Sequence, residues 1–187
     1  MLNTSALGSL INSALSAFSA DVTVNYGGTE LNGTRAGLEQ PNVQLNDAAA
    51  GYEFSVWINR TVYSGSLPDI GEFVSIGGAD YFVVGTGRDS VGINHRIDLR
   101  EEEKIAFTHN SIEYAAARTV LNESVVYSEY GYHDDYSFSL LLRSELFTAR
   151  PETDDPITIG SISYLVVGTA ESPSADILRI DLKGGYA

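Results

Sequence analysis

The stretch Ile76-Gly77-Gly78-Ala79-Asp80-Tyr81-Phe82-Val83-Val84-Gly85-Thr86 decides the fold, because it returns 83 residues later as Ile159-Gly160-Ser161-Ile162-Ser163-Tyr164-Leu165-Val166-Val167-Gly168-Thr169. At the same offset Arg96-Ile97-Asp98-Leu99 returns as Arg179-Ile180-Asp181-Leu182, and Glu30 and Arg35 return as Glu113 and Arg118. A one-residue slip then brings Tyr52, Phe54 and Ser55 onto Tyr136, Phe138 and Ser139. Shared secondary structure would reproduce the polarity but not this many identities in one order, so the chain is read as a tandem duplication.

Each unit is organised around that stretch. Phe73 to Ile76 is expected to pair with Asp80 to Val84 across a glycine turn, and Pro156 to Ile159 with Ser163 to Val167. A loop from Gly85 to Asn94, or Gly168 to Asp176, should lead to a closing strand around Ile97 and Leu99, or Ile180 and Leu182. Upstream, Tyr52, Phe54, Val56 and Ile58 alternate with Glu53, Ser55, Trp57 and Asn59, and Tyr136, Phe138, Leu140 and Leu142 repeat the period of two. Further upstream, Asp21 to Asn25 alternates, with Gly27-Gly28 or Asn32-Gly33 as a tight turn. Gly37 to Gly51 reads as loop, and its counterpart, Thr119 to Asp135, carries three tyrosines. The connections Thr61 to Ile70 and Ser144 to Asp155 carry Pro68 and Pro151 and are expected to project from the sheet. Short strands with regular turns predict a small closed barrel, because closure removes exposed edges.

Before the first unit, Leu7, Leu10, Ile11, Ala14, Leu15 and Phe18 recur at helical spacing, giving an amphipathic helix of about four turns. Its polar face is serine and asparagine, which tolerates burial better than charge. The predicted fold is therefore mainly β: an N-terminal amphipathic α-helix over 1–20, a first β-barrel over 21–103 and a second over 104–187. Glu101-Glu102-Glu103-Lys104 should form the junction.

The 187 residues carry 25 acidic against 11 basic side chains, a net charge of -14 spread over both halves. That balance argues against tight nucleic-acid binding, which uses a basic face; it serves solubility and is also compatible with a wall past which DNA slides. No run approaches the roughly 20 apolar residues of a membrane span. A soluble protein without membrane partners is expected, and the early run lacks the basic residues of a secretory signal. Without cysteine there are no disulfides, thiolate sites or cysteine nucleophiles.

Chemistry-bearing groups are sparse. His95, His109 and His133 show no zinc-type or catalytic spacing and are expected at the surface or in loops. Asp134-Asp135 and Asp154-Asp155 lack the alternating oxygen ligands of a calcium loop. Arg96 and Asp98, with Arg179 and Asp181, should share an outer strand face, where they protect an edge or pair with a neighbour. Gly77-Gly78 and Gly85-Thr86-Gly87 read as turn glycines, since no helix N-terminus follows to hold phosphate. No cofactor, metal or catalytic site is expected.

The order helix, strand, loop, strand, spacer and hairpin, with Gly71, Val74, Ile76, Gly77, Tyr81 and Val83 in the hairpin, resembles the head-tail joining proteins of lambda-type tailed phages. The similarity covers Leu7 to Glu103 and extends through the repeat to Asp155-Pro156-Ile157-Thr158-Ile159-Gly160 and Tyr164. Those proteins have one barrel per chain, and this chain departs by having two. The resemblance implies a non-enzymatic virion protein of the neck, made in the host cytoplasm. It would form a ring homo-oligomer between portal and tail or tail terminator, with genomic DNA passing through the lumen. A ring of roughly six chains would hold roughly twelve barrels, easing a match between portal and tail symmetries. Such a ring needs two different complementary surfaces, for which the candidates are Leu7, Leu10 and Phe18 on the helix and Leu67, Pro68, Arg150, Pro151 and Glu152 on the connections. The alternatives are a capsid decoration or tail-tube protein, and a carbohydrate- or ligand-binding module using Trp57 and the tyrosines around Tyr130, with contact with the partner barrel as the other expected role of Trp57.

Overall fold

The computed structural model describes residues 19–36, 53–63, 65–90, 92–121, 136–147, 149–172 and 176–186. The chain divides into two compact units, one ending at Glu101 and the other beginning at Glu102. The expected junction of four charged residues shrinks to Glu102 alone, because Glu101 closes one strand and Glu103 opens the next. Residues 1–18 of the expected helix lie outside the described residues, whereas Ser19 and Ala20 already belong to a strand.

The first unit holds β1 (Ser19–Tyr26), β2 (Thr29–Ala36), β3 (Phe54–Asn59), β4 (Phe73–Ile76), β5 (Ala79–Arg88) and β6 (Asn94–Glu101). They form a closed antiparallel barrel in the order β1-β2-β3-β6-β5-β4. The second holds β7 (Glu103–His109), β8 (Ile112–Thr119), β9 (Phe138–Arg143), β10 (Pro156–Ile159), β11 (Ile162–Glu171) and β12 (Ile177–Tyr186), ordered β7-β8-β9-β12-β11-β10. The topology is the same strand for strand, as a duplication requires. As expected, β6 and β12 close the barrels, β6 joining β3 to β5 and β12 joining β9 to β11, while the thinnest seam lies where the short β4 meets β1 and the short β10 meets β7. That seam is narrow, with Val24↔Ile76 and Asn25↔Ser75 in barrel 1 and Thr108↔Thr158 in barrel 2.

Alternation places Val24, Leu31, Phe54, Val56, Ile58, Val74, Val83, Ile97 and Leu99 inside barrel 1. Phe107, Ala116, Phe138, Leu140, Leu142, Phe147, Ile157, Val166, Leu178, Ile180 and Leu182 fill barrel 2. Each fully buried aliphatic side chain contributes about 1.5–3 kcal/mol relative to exposure. Gly27 and Gly28 make the β1–β2 turn, both at positive φ, and Asn110 and Ser111 take the same left-handed conformation between β7 and β8.

One register feature controls the outer face. The β5–β6 ladder shifts between Val83 and Gly85, and the β11–β12 ladder shifts between Val166 and Gly168. The extra residue lets each strand run on past the glycines, so Gly85-Thr86-Gly87 is strand and not the expected loop or turn. Gly85 lies opposite Asp98 and Gly168 opposite Asp181.

Candidate functional site

Three arrangements recur in both barrels, and they absorb most of the polar and aromatic identities of the repeat. The first sits on the outer side of β3 and β6. Ser55 Oγ donates to Asp98 Oδ1 at 2.6 Å, and an Arg96 Nη donates to Asp98 Oδ2 at 3.0 Å. In barrel 2, Ser139 Oγ donates to Asp181 Oδ1 at 2.5 Å, and Arg179 Nε donates to Asp181 Oδ2 at 3.1 Å. Gly85 makes room for the carboxylate, since a Cβ there would stand 2.9 Å from Asp98 Oδ2. The expected outer-face placement of Arg and Asp holds, but the edge does not. Both strands are internal, and Asp98 and Asp181 are buried at 5% and 0% exposure. The network pins the register of β3 on β6 and of β9 on β12, because a buried carboxylate is tolerated only when paired and hydrogen-bonded. Each serine donates to a carboxylate that an arginine also holds, with no imidazole between them. That geometry orders strands; it does not generate a nucleophile of the serine-base kind.

Barrel 2 adds a layer. The Tyr136 hydroxyl accepts from the Leu121 amide at 2.9 Å and lies 3.0 Å from Ser139 Oγ. Burial raises the Tyr136 hydroxyl above the ordinary phenol value, against the opposite pull of its hydrogen bonds with Leu121 and Ser139.

The second arrangement is a cation over one ring of an edge-to-face pair. The Arg35 guanidinium lies 4.0 Å from the Phe54 ring centre, and Phe54 meets Tyr81 edge-on at 5.2 Å. Arg118 lies 4.5 Å over Phe138, and Phe138 meets Tyr164 edge-on at 5.1 Å. These contacts account for the repeated Arg, Phe and Tyr identities as packing. Burial, followed by repulsion from Glu101 and Glu53, raises the Tyr81 hydroxyl.

The third is the turn that ends each proline-bearing connection. Glu72 Oε2 accepts from the Asp69 amide at 2.8 Å and from the Tyr26 hydroxyl at 2.6 Å. Asp155 Oδ2 accepts from the Glu152 amide at 2.8 Å and faces His109 Nε2 at 3.4 Å. The Glu152 amide, and then His109, hold the Asp155 carboxyl below the ordinary carboxylate value. Pro68 and Pro151 are both buried, so the connections do not project at their prolines. The Pro68 carbonyl lies 2.9 Å from His95 Nε2, which ties the connection to β6. Of the other residues named on these connections, Leu67 is half-buried against the core, while Arg150 and Glu152 are exposed, Arg150 ion-paired to Glu171. Leu7, Leu10 and Phe18 lie outside the described residues.

The histidines depart from the surface-or-loop expectation. His109 is buried in β7 and meets Phe147 edge-on, and His95 is half-buried in β6. His133 lies outside the described residues. Among the described residues no three His, Asp or Glu side chains converge as metal ligands, and no helix is long and apolar enough to cross a membrane. No family model, curated protein or solved structure matches the chain.

Proposed function

We propose that this chain is a structural subunit of a tailed-phage neck, forming a ring that joins the portal of the DNA-filled head to the tail around the DNA channel. The observation that carries the reading is the pair of closed barrels with one topology, one set of internal contacts and different exteriors. A head-to-tail ring requires each subunit to present two different complementary surfaces. Duplication followed by divergence of the outer faces supplies them on one chain. The hairpin residues that carry the resemblance, Gly71 through Val83, form β4, its glycine turn and the start of β5. The excess of 25 acidic over 11 basic residues supports a lumen that lets DNA slide, because phosphates are repelled instead of bound. Self-association, a portal-side partner and a tail-side partner follow from this reading, as do the exposed Arg150 and Glu152 as contact residues.

The test is imaging of purified particles at the head-tail junction with no symmetry imposed. A single ring between portal and tail supports the reading, and its copy number tests the expected six chains. Density over the shell or along the tail replaces it with the decoration or tube alternative. Absence from particles overturns a virion role.

A further inference from the structure

Successive register pairs carry one row of residues across the outside of barrel 1: Asp21, Thr34, Trp57, Arg96 and Gly87. Thr23 and Asn32 form a neighbouring pair on the same face. An open cleft of about 380 Å³ lies here, lined by Asp21, Val22, Thr23, Asn32, Gly33 and Thr34. Its volume is near the lower end for small-molecule sites, about 300–1,000 Å³. The lining offers a carboxylate acceptor, two hydroxyls and a carboxamide. Beside that lining, next to Thr34 in the register, stands the half-buried Trp57, with the Arg96 guanidinium, whose side chain is 40% exposed, 5.9 Å from the centre of its ring.

Barrel 2 provides an internal control. Its residues at the same register positions are Lys104, Ala117, Leu141, Arg179 and Ala170, with Ala106 and Ala115 for Thr23 and Asn32. Only the arginine is kept. Ala117 and Leu141 are fully buried there, whereas Asn32 is exposed and Thr34 and Trp57 are half-buried, so the middle of this face is covered in barrel 2 and open, polar and aromatic in barrel 1. We infer that the outer face of β1, β2 and β3 in barrel 1 is a binding site for a neutral sugar. A pyranose lays a C–H face on the indole while its hydroxyls donate to Asp21 and exchange hydrogen bonds with Thr23, Asn32, Thr34 and Arg96. The chain's net charge of -14 disfavours an anionic ligand, and the polar lining disfavours a wholly apolar one.

Trp57 is the chain's sole tryptophan, so its emission reports on this face alone. The full-length protein is titrated with glucose, galactose, mannose and N-acetylglucosamine. The expected result is a saturable shift of the emission with at least one of them. In the double variant Asn32→Ala/Thr34→Ala, which copies the barrel-2 residues and keeps the fold, binding weakens about tenfold. Asp21→Ala weakens it likewise. No saturable response to any of the four sugars overturns the inference, as does a response undiminished in the double variant. Either failure leaves the ring reading untouched, because that reading rests on assembly and not on this cleft.

Discussion

Barrel 1 and barrel 2 carry the same Ser-Asp-Arg network in two different settings. In barrel 1 the Arg96 side chain is 40% exposed, and its buried Nε has no hydrogen-bond partner among the described residues. In barrel 2 the Arg179 side chain is 7% exposed, Asp181 is fully buried, and the Arg179 Nε also bonds Asp181. Identical residues on identical strands therefore face different electrostatic consequences. What duplication preserved is the clamp between two neighbouring strands. What diverged is the outer face around the clamp, open and polar with a tryptophan in one copy, buried with Ala117 and Leu141 in the other.

The comparison breaks most visibly at the acids. Asp181→Ala removes a buried carboxylate that holds both the Arg179 guanidinium and Ser139 and is expected to destabilise barrel 2 by about 3–5 kcal/mol. Asp98→Ala lets Arg96 turn to water and should cost barrel 1 about 1–3 kcal/mol. Denaturant unfolding followed by Trp57 emission for barrel 1, and by circular dichroism for the whole chain, separates the two. Equal losses would mean that burial does not set the difference.

An effect of the same order as that of Asp98→Ala is expected at the strand glycine. Gly85→Ala places a Cβ 2.9 Å from Asp98 Oδ2 and should cost about 1–3 kcal/mol, read from the Trp57 transition. An unchanged midpoint would show that the carboxylate moves aside freely.

The hairpin turns sharpen the comparison in the opposite direction. Ser111 sits at φ 64 where barrel 1 has Gly28 at φ 78. Ser111→Gly should stabilise barrel 2 by about 0.5–1 kcal/mol, and Gly28→Ser should weaken barrel 1 by a similar amount.

The smallest effect is one of pH. Because Asp155 is held below the ordinary carboxylate value in the folded state, its contribution is fully present above the unfolded value. It is lost as the pH falls through the lowered one. Asp155→Asn should remove this acid-side slope and lower barrel 2 stability slightly at neutral pH, where the carboxylate's contribution is otherwise fully present. A slope that persists in Asp155→Asn would assign it to other carboxylates.

Much of this was legible in the sequence. The repeat was visible as identities, and the alternation of Phe54, Val56 and Ile58 with Ser55 and Trp57 placed inner and outer faces correctly. The clamp was half legible: Ser55 and Ser139, Asp98 and Asp181, Gly85 and Gly168 are all paired by the repeat, and polar outer-face residues kept in both copies point to one another. What concealed it was the register shift at Val83/Gly85, since a bulge moves every following residue to the other face and leaves no composition signal. The buried prolines were misplaced for a related reason. Proline marks a bend, but whether the bend packs down or stands off depends on distant partners such as His95. The row from Asp21 to Gly87 needs four ladders in register, which no single strand reveals.

The narrow seam has a consequence for handling the protein. Closure rests on two register pairs in barrel 1 and one in barrel 2, while every other neighbouring pair of strands is joined at three or more. Thermal opening will begin there, converting a cylinder into a curled sheet with two raw margins. The margins exposed are β1 and β4 in barrel 1 and β7 and β10 in barrel 2; β1 carries Asp21 and β7 carries Glu103 with Lys104, whereas β4 and β10 carry no charge and are four residues long. Charge on β1 and β7, and the shortness of β4 and β10 with Pro156 opening the latter, misfit an incoming strand, so the chain can breathe at its weakest joint without polymerising through it.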